Sequence, residues 1–95
     1  MENNTVYKGK RVSVIGAGVS GRSLAELARK LGAEVFVSDL KKITEESVKA
    51  FDVMGIDWEE EGNTERVLAC DEILLSSGVS QDIPILKLAV SKGIP

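Results

Sequence analysis

The sequence predicts an α/β fold, in which an open parallel sheet of four to five strands carries helices on both faces. A short apolar run rich in β-branched residues, Arg11–Ile15, breaks into glycines at Gly16, and a helical pattern follows at once. A second run of the same kind, Glu34–Ser38, follows that helix, and strand, helix and strand in this span require a right-handed parallel crossover. The chain has 95 residues, which suffices for one small domain with a single core.

The loop after the first strand, Gly16-Ala17-Gly18-Val19-Ser20-Gly21, has the glycine spacing of a Rossmann-like mononucleotide-binding unit. Gly16 permits a tight turn, Gly18 lets the backbone approach a phosphate, and Gly21 lets the helix pack closely on the strand. The free N–H groups and the positive dipole end of the helix would then face an anion. The alternative is a tight turn between strand and helix that binds no ligand.

Two helices are predicted among the early strands. The first spans about residues 19–31, with apolar side chains at positions i, i+3, i+4 and i+7, and it ends at Gly32. The second begins after Thr44 as its N-cap, carries two glutamates in its first turn, and ends at Gly55. The side chains predicted to be buried are Leu24, Leu27, Ala28 and Leu31 in the first helix and Val48, Phe51 and Met54 in the second.

The second half of the chain predicts two further strands and two further helices. The fourth strand, Glu72–Leu75, ends in a second loop rich in small residues. After the last helix an α/β alternation would continue into another strand, so we expect the chain to be a piece of a larger protein. The predicted elements are a third strand at Ile56–Glu59 with Trp58 as a packing anchor, a short helix capped by Asn63 and ending near Ala69, and a last helix capped by Asp82 and closed by Gly93.

The ligand is expected where the strand order reverses. The early strands of such sheets stack in the order 3-2-1 and the fourth lies beyond the first, so the switch point lies between strands one and four. The loops that leave these two strands are residues 16–21 and 76–80, and the second contains Ser76 and Gly78. Asp39 ends the second strand 18 residues after Gly21, near the usual distance for an acidic residue that bonds a ribose or base. An ordinary turn aspartate is the alternative.

Composition excludes several classes of function. The chain has no histidine, which excludes histidine triads and histidine metal sites, and its formal net charge of −3 argues against nucleic acid as a partner. No apolar stretch has the length of a membrane span, and the single cysteine and polar start suit a cytoplasmic protein without a membrane partner. The chain has neither a G-x-x-x-x-G-K-S/T phosphate loop nor a base and nucleophile pair near the crevice, so we expect binding without catalytic or metal-ligating residues.

Several motifs together resemble the N-terminal domain of the Mur ligase family. They are Gly9-Lys10 before the first strand, the loop and helix start at residues 16–23, Asp39, and Ser76-Ser77-Gly78-Val79 followed by Pro84. The resemblance covers nearly the whole chain. It implies an ATP-dependent ligase of peptidoglycan synthesis with three domains, which hold in turn the UDP part of the precursor, ATP with magnesium, and the incoming amino acid. Residues 1–95 resemble only the first domain, which is expected to be inactive alone and to need no cofactor.

The form of the first loop, Gly-x-Ser-Gly-x-Ser, favours the family member that joins D-glutamate to UDP-N-acetylmuramoyl-L-alanine through an acyl phosphate. Two positions depart from the family. Ser77 replaces a proline that the second loop usually contains, which loosens that loop, and Leu40 stands where a hydroxyl residue contacts uracil in relatives. The resemblance places Val19, Ser20, Asp39, Leu40 and Gly78 at the uridine diphosphate, with Asp39 at the uracil, and Gly16, Gly18, Gly21 and Ser76 complete the predicted site.

A regulatory module that binds a nicotinamide dinucleotide and performs no chemistry is the main alternative. The first loop and Asp39 suit both ligands. A full dinucleotide site spans two βαβαβ halves, however, and only one half and a strand are present here. A purely structural domain would leave both glycine loops unexplained.

Overall fold

Strands and helices alternate through the part of the chain that the computed structural model describes, residues 7–79 and 82–95. Ser80, the last residue of the predicted second loop, lies outside these ranges. None of the helices in the described residues has the length and apolar character that a membrane crossing needs. The elements are β1 (Arg11–Ile15), α1 (Val19–Lys30), β2 (Glu34–Ser38), α2 (Glu45–Met54), β3 (Asp57–Glu59), a short 3₁₀ helix (Glu65–Leu68), β4 (Glu72–Leu75) and α3 (Pro84–Ser91).

The four strands form one parallel sheet in the order β3-β2-β1-β4. Ile15 at the end of β1 is in register with Ser38 of β2 and with Leu75 of β4, so these strands end at the same edge. The predicted fold class and strand order are confirmed, and the switch point lies between β1 and β4. The loops that leave these two strands therefore start side by side.

Alternate residues of the strands face two separate apolar layers. Val12 and Val14 point toward α1 and α2, whereas Ile15 packs with residues of the 3₁₀ helix and α3 on the opposite face. Ser13 also faces the second layer, where its Oγ donates a hydrogen bond to the Val67 carbonyl at 2.8 Å. This bond ties the 3₁₀ helix to the sheet and satisfies a buried hydroxyl. Helices on both faces are thus confirmed.

The start and end of α2 agree with the sequence. Thr44 caps the helix, because its Oγ1 accepts a hydrogen bond from the Ser47 N–H at 3.2 Å. Gly55 closes it in the left-handed conformation, with φ of +72°. Phe51 is fully buried, and Trp58 packs half-buried against the same core while its Nε1 donates to Asp52 at 3.1 Å. The packing role predicted for Trp58 is confirmed.

The buried face of α1 differs from the prediction. Ala28 is buried as expected, but Leu27 is 54% exposed, and the other buried helix positions are Gly21 and Ala25. The buried face is centred on Gly21, Ala25 and Ala28, and Leu27, two positions after Ala25, lies on the far side of the helix. At Gly21 the contact is so close that a Cβ would collide with the Gly16 carbonyl oxygen. Small residues allow this close contact, and the leucine faces away from it.

Two predicted caps are wrong. The 3₁₀ helix is capped by Thr64 rather than Asn63, because the Thr64 Oγ1 accepts a hydrogen bond from the Arg66 N–H at 3.3 Å. Helix α3 has Ile83 as its N-cap residue rather than Asp82, and Pro84 occupies its first position. Proline is favoured there because its fixed φ suits a helix start and the N–H that it lacks would have no intrahelical acceptor.

Candidate functional site

An open crevice of about 790 Å³ lies at the carboxyl ends of β1, β2 and β4. It separates the loop that follows β1 from the loop that follows β4. Every residue of the predicted site lines this crevice, namely Gly16, Gly18, Val19, Ser20, Gly21, Asp39, Leu40, Ser76 and Gly78. The structure thus brings the predicted residues together, while their contacts with a ligand stay a prediction.

The base of the first loop is fixed by Gly16 and Gly21. Gly16 has φ of +97°, and its N–H donates to the Ser38 carbonyl at 2.8 Å. A Cβ at Gly16 would collide with Ser76 Oγ, and one at Gly21 would collide with the Gly16 carbonyl oxygen. The tight turn and the close helix packing predicted for these two glycines are therefore confirmed.

Gly18 differs from its neighbours because neither backbone strain nor packing requires a glycine there. Its φ of −68° and ψ of −170° are extended, and a Cβ on it would meet no atom within 4 Å. Gly18 precedes α1 and has no side chain to cap the first turn. Within the described chain, the N–H groups of Gly18, Val19, Ser20 and Gly21 have no hydrogen-bond acceptor. The positive end of the helix dipole is thus open to the crevice.

In the second loop, the described backbone N–H groups other than that of Gly78 already donate hydrogen bonds within the protein. The Val79 N–H donates to the Ser76 carbonyl at 3.3 Å, and the Ser77 N–H donates to Ser20 Oγ in the first loop at 3.1 Å. Gly78 has φ of +88°, and its N–H has no acceptor among the described residues. Among the described residues of this loop, Gly78 therefore offers a free backbone donor to the crevice.

Asp39 connects the end of β2 to the first loop. Its Oδ2 accepts a hydrogen bond from the Ala17 N–H at 2.8 Å, and its Oδ1 accepts one from the Lys41 N–H at 2.8 Å. The carboxylate therefore holds the first loop in place, a role that the sequence did not reveal. Each oxygen retains a lone pair that can accept a further hydrogen bond, and Asp39 lines the crevice.

Exposed side chains with different chemistry flank Asp39. Val19 is 88% exposed and Leu40 is 59% exposed, although both are apolar. Lys41 also lines the crevice, where it adds a positive charge. The crevice therefore offers an apolar surface beside its backbone donors and a cation.

A hydrogen-bond network below the crevice centres on Glu59. Its carboxylate accepts hydrogen bonds from Ser38 Oγ at 2.7 Å, from the Thr64 N–H at 2.9 Å and from Thr64 Oγ1 at 2.6 Å. Burial raises the pKa of Glu59, but the hydrogen bonds from Thr64 and Ser38 and the charge of Arg66 outweigh burial, so the pKa lies below its ordinary value. This network fixes the chain that brings Asn63 to the crevice.

A second open cavity, of about 420 Å³, lies at the amino ends of the strands. Three of the charged side chains that line it are bound within the protein, because Arg11 Nε pairs with Glu34 at 3.3 Å and Arg29 Nε donates to the Met54 carbonyl at 2.9 Å. Beside the first loop, hydrogen bonds from Arg22 to Glu26 and Glu46 raise the pKa of Arg22 and neutralise its charge locally.

In residues 7–79 and 82–95 no cluster of Cys, Asp and Glu is placed to hold a metal ion.

Sequence reasoning missed some residues of the crevice. Lys41, Asn63, Val79 and Ile83 line it but were not predicted as site residues. Lys41 could have been found, since it follows Asp39 by two positions on the same strand-end loop. Asn63 and Ile83 reach the crevice only through the packing of the chain after β3 and before α3, which no local pattern signals.

Comparison with known families decides the relationship. A family model described as the MurD N-terminal domain matches residues 11–85. The chain belongs to the MurD N-terminal domain family. Proteins named UDP-N-acetylmuramoylalanine--D-glutamate ligase are 39% identical over 87 residues in Chlorobium limicola and 39% identical over 87 residues in Bacteroides fragilis. These matches cover 92% and 90% of this chain but 19% and 20% of the relatives, so this chain spans about a fifth of their length.

Solved structures agree with this relationship. A murein peptide ligase Mpl from Psychrobacter arcticus superimposes with a TM-score of 0.79 at 26% identity, over 90% of this chain and 18% of that protein. Shikimate dehydrogenase from Aquifex aeolicus superimposes with a TM-score of 0.60 at 20% identity, over 90% of this chain and 41% of that protein. The second likeness shows the fold alone. The family resemblance expected from the sequence is confirmed.

Proposed function

We propose that this domain binds the uridine diphosphate part of UDP-N-acetylmuramoyl-L-alanine, within a ligase that adds D-glutamate in peptidoglycan synthesis. The observation that carries the proposal is a set of unbonded backbone N–H groups, from residues 18–21 on one side of the crevice and Gly78 on the other. The first turn of α1 carries no acidic side chain to compete with an anion. Backbone donors at a helix start suit a diphosphate, which carries its charge on several acceptor oxygens.

The uracil and ribose would lie toward the end of β2. Val19 and Leu40 offer exposed apolar surface for the flat face of a base, and Asp39 offers acceptors for its N–H group. The crevice volume of about 790 Å³ is within the range of small-molecule sites. Lys41 adds a cation that favours a negatively charged ligand.

We further propose that residues 1–95 are the first of three domains in the intact enzyme. The relatives that match over nearly the whole chain are named D-glutamate ligases and are about five times longer. No phosphate loop of the form G-x-x-x-x-G-K-S/T occurs in these residues, so ATP and magnesium would bind in the other domains. D-Glutamate would bind there too, and the isolated domain would bind the precursor without turnover.

A titration of backbone amide chemical shifts tests the ligand. UDP should cause saturable shifts at residues 16–21 and at Gly78, whereas uridine without phosphates should bind more weakly because the N–H groups of the crevice then lack their anion. Affinity should be modest, since other domains would supply part of the substrate contacts. Saturable shifts with NADH and none with UDP would contradict the proposal and favour a dinucleotide-binding module.

A further inference from the structure

One hydrogen bond joins the two loops that flank the crevice. The Ser77 N–H donates to Ser20 Oγ at 3.1 Å, across 57 positions of sequence. Ser20 lies in the first turn of α1 and Ser77 follows β4, and both residues line the crevice. The bond therefore links the helix start to the second loop at the place where a ligand would enter.

This bond determines how the Ser20 hydroxyl can act. A serine hydroxyl has one hydrogen to donate and two lone pairs. The Ser77 N–H occupies one lone pair of Ser20 Oγ. The Ser20 hydroxyl is therefore held in orientations that direct its own hydrogen away from the Ser77 N–H. Within the described residues that hydrogen has no acceptor. A hydroxyl that accepts one hydrogen bond is also polarised into a better donor.

We infer that the Ser77 N–H is a positioning group, which orients the Ser20 hydroxyl as a donor to the anionic part of the ligand. The bond also occupies the Ser77 N–H itself, which leaves the Gly78 N–H as the free backbone donor among the described residues of the second loop. The nature of the ligand, a nucleoside diphosphate, rests on the proposed function. The bond itself joins two residues of this chain and can be measured without a nucleotide.

Residue 77 therefore orients Ser20 through its backbone N–H and not through its side chain. Proline, which the family resemblance predicts at this position, has no N–H and could not form the bond. The Ser77 side chain is exposed, so Ser77→Ala keeps the N–H and changes little else. Ser77→Pro and Ser77→Ala thus form a matched pair that separates the backbone donor from the side chain.

The first measurement is hydrogen exchange of the Ser77 amide without ligand. Ser20→Ala removes the acceptor and should speed this exchange, whereas Ser20→Thr keeps an Oγ and should restore the parent rate. Unchanged exchange in a folded Ser20→Ala protein would show that the bond does not form in solution. This measurement does not depend on UDP and remains valid if Ser77→Pro fails to fold.

The second measurement is the dissociation constant for UDP and for uridine. Ser20→Ala, which loses a hydrogen bond to a charged group, should weaken UDP binding by more than about tenfold. Ser77→Pro keeps the hydroxyl but leaves it unoriented, so it should weaken UDP binding by roughly five- to tenfold, and both variants should weaken uridine binding less. Ser77→Ala keeps the N–H and should bind UDP more tightly than Ser77→Pro, and the Ser20→Ala, Ser77→Pro double variant should bind no worse than Ser20→Ala. Equal UDP affinity in Ser77→Pro and Ser77→Ala would overturn the positioning role. Failure of the parent protein to bind UDP would instead overturn the proposed function.

Discussion

Replacement of Gly18 by valine should remove ligand binding and leave the fold intact. The backbone at Gly18 is extended, with φ of −68°, and the space around an added Cβ is open to 4 Å. Valine is a poorer N-cap residue than glycine, at a cost of about 1 kcal/mol. Valine also lowers the conformational entropy of the unfolded chain, and this offsets roughly 0.4–1 kcal/mol of that cost. We therefore expect the free energy of unfolding to change by less than about 1 kcal/mol.

The expected loss of binding is much larger. The branched side chain would project into the crevice, where the N–H groups of residues 18–21 are free to meet an anion. A hydrogen bond to a charged group contributes about 1.5–3 kcal/mol, so the loss of two such bonds would cost roughly 3–6 kcal/mol. Since about 1.4 kcal/mol corresponds to a tenfold change, UDP affinity should fall at least roughly 100-fold.

The assay has two parts, thermal unfolding monitored by circular dichroism and the titration of amide chemical shifts with UDP. Gly21→Ala is the matched control in the same loop, because its Cβ would collide with the Gly16 carbonyl oxygen. Gly21→Ala should lose stability, whereas Gly18→Val should melt like the parent and fail to bind. A folded Gly18→Val protein with the parent's UDP affinity would refute the reasoning and show that the loop is only a turn.

Two further predictions concern stability. The folded-state pKa of Glu59 lies below its ordinary value of about 4.5, so its ionised form stabilises the fold above that pH, and the contribution is lost as pH falls through the folded-state pKa. Glu59→Gln should therefore lower the melting temperature near neutral pH and make the melting temperature fall less steeply as the pH becomes acidic. If the melting temperatures of the parent and the variant fell in parallel with pH, this reasoning would be contradicted. At the sheet edge, the Ile73 N–H already donates to the Pro95 carbonyl at 3.0 Å, as it would to a fifth parallel strand. A chain extended past Pro95 through such a strand could bury two more aliphatic side chains, worth roughly 3–6 kcal/mol before entropy costs, so it should melt higher and self-associate less. Equal melting curves and light scattering would show that the sheet is complete with four strands.

The sequence by itself determined the order of elements and the place of the site. The apolar run at Arg11–Ile15 and the glycines after it specify a strand, a turn and a helix, because these signals are local in the chain. The alternation of strands and helices then constrained the strand order, and with it the two loops that flank the crevice. Every predicted site residue was consequently brought to one crevice.

Only the tertiary structure decided how these residues interact. Asp39 holds the Ala17 N–H, and Ser20 accepts from Ser77 across 57 positions, although neither bond has a signal in local sequence. Which face of α1 is buried was likewise decided by packing, because Gly21, Ala25 and Ala28 are buried there and Leu27 is exposed. Periodicity specifies which face of an element is apolar, whereas these contacts depend on strand register and on the distance between packed elements.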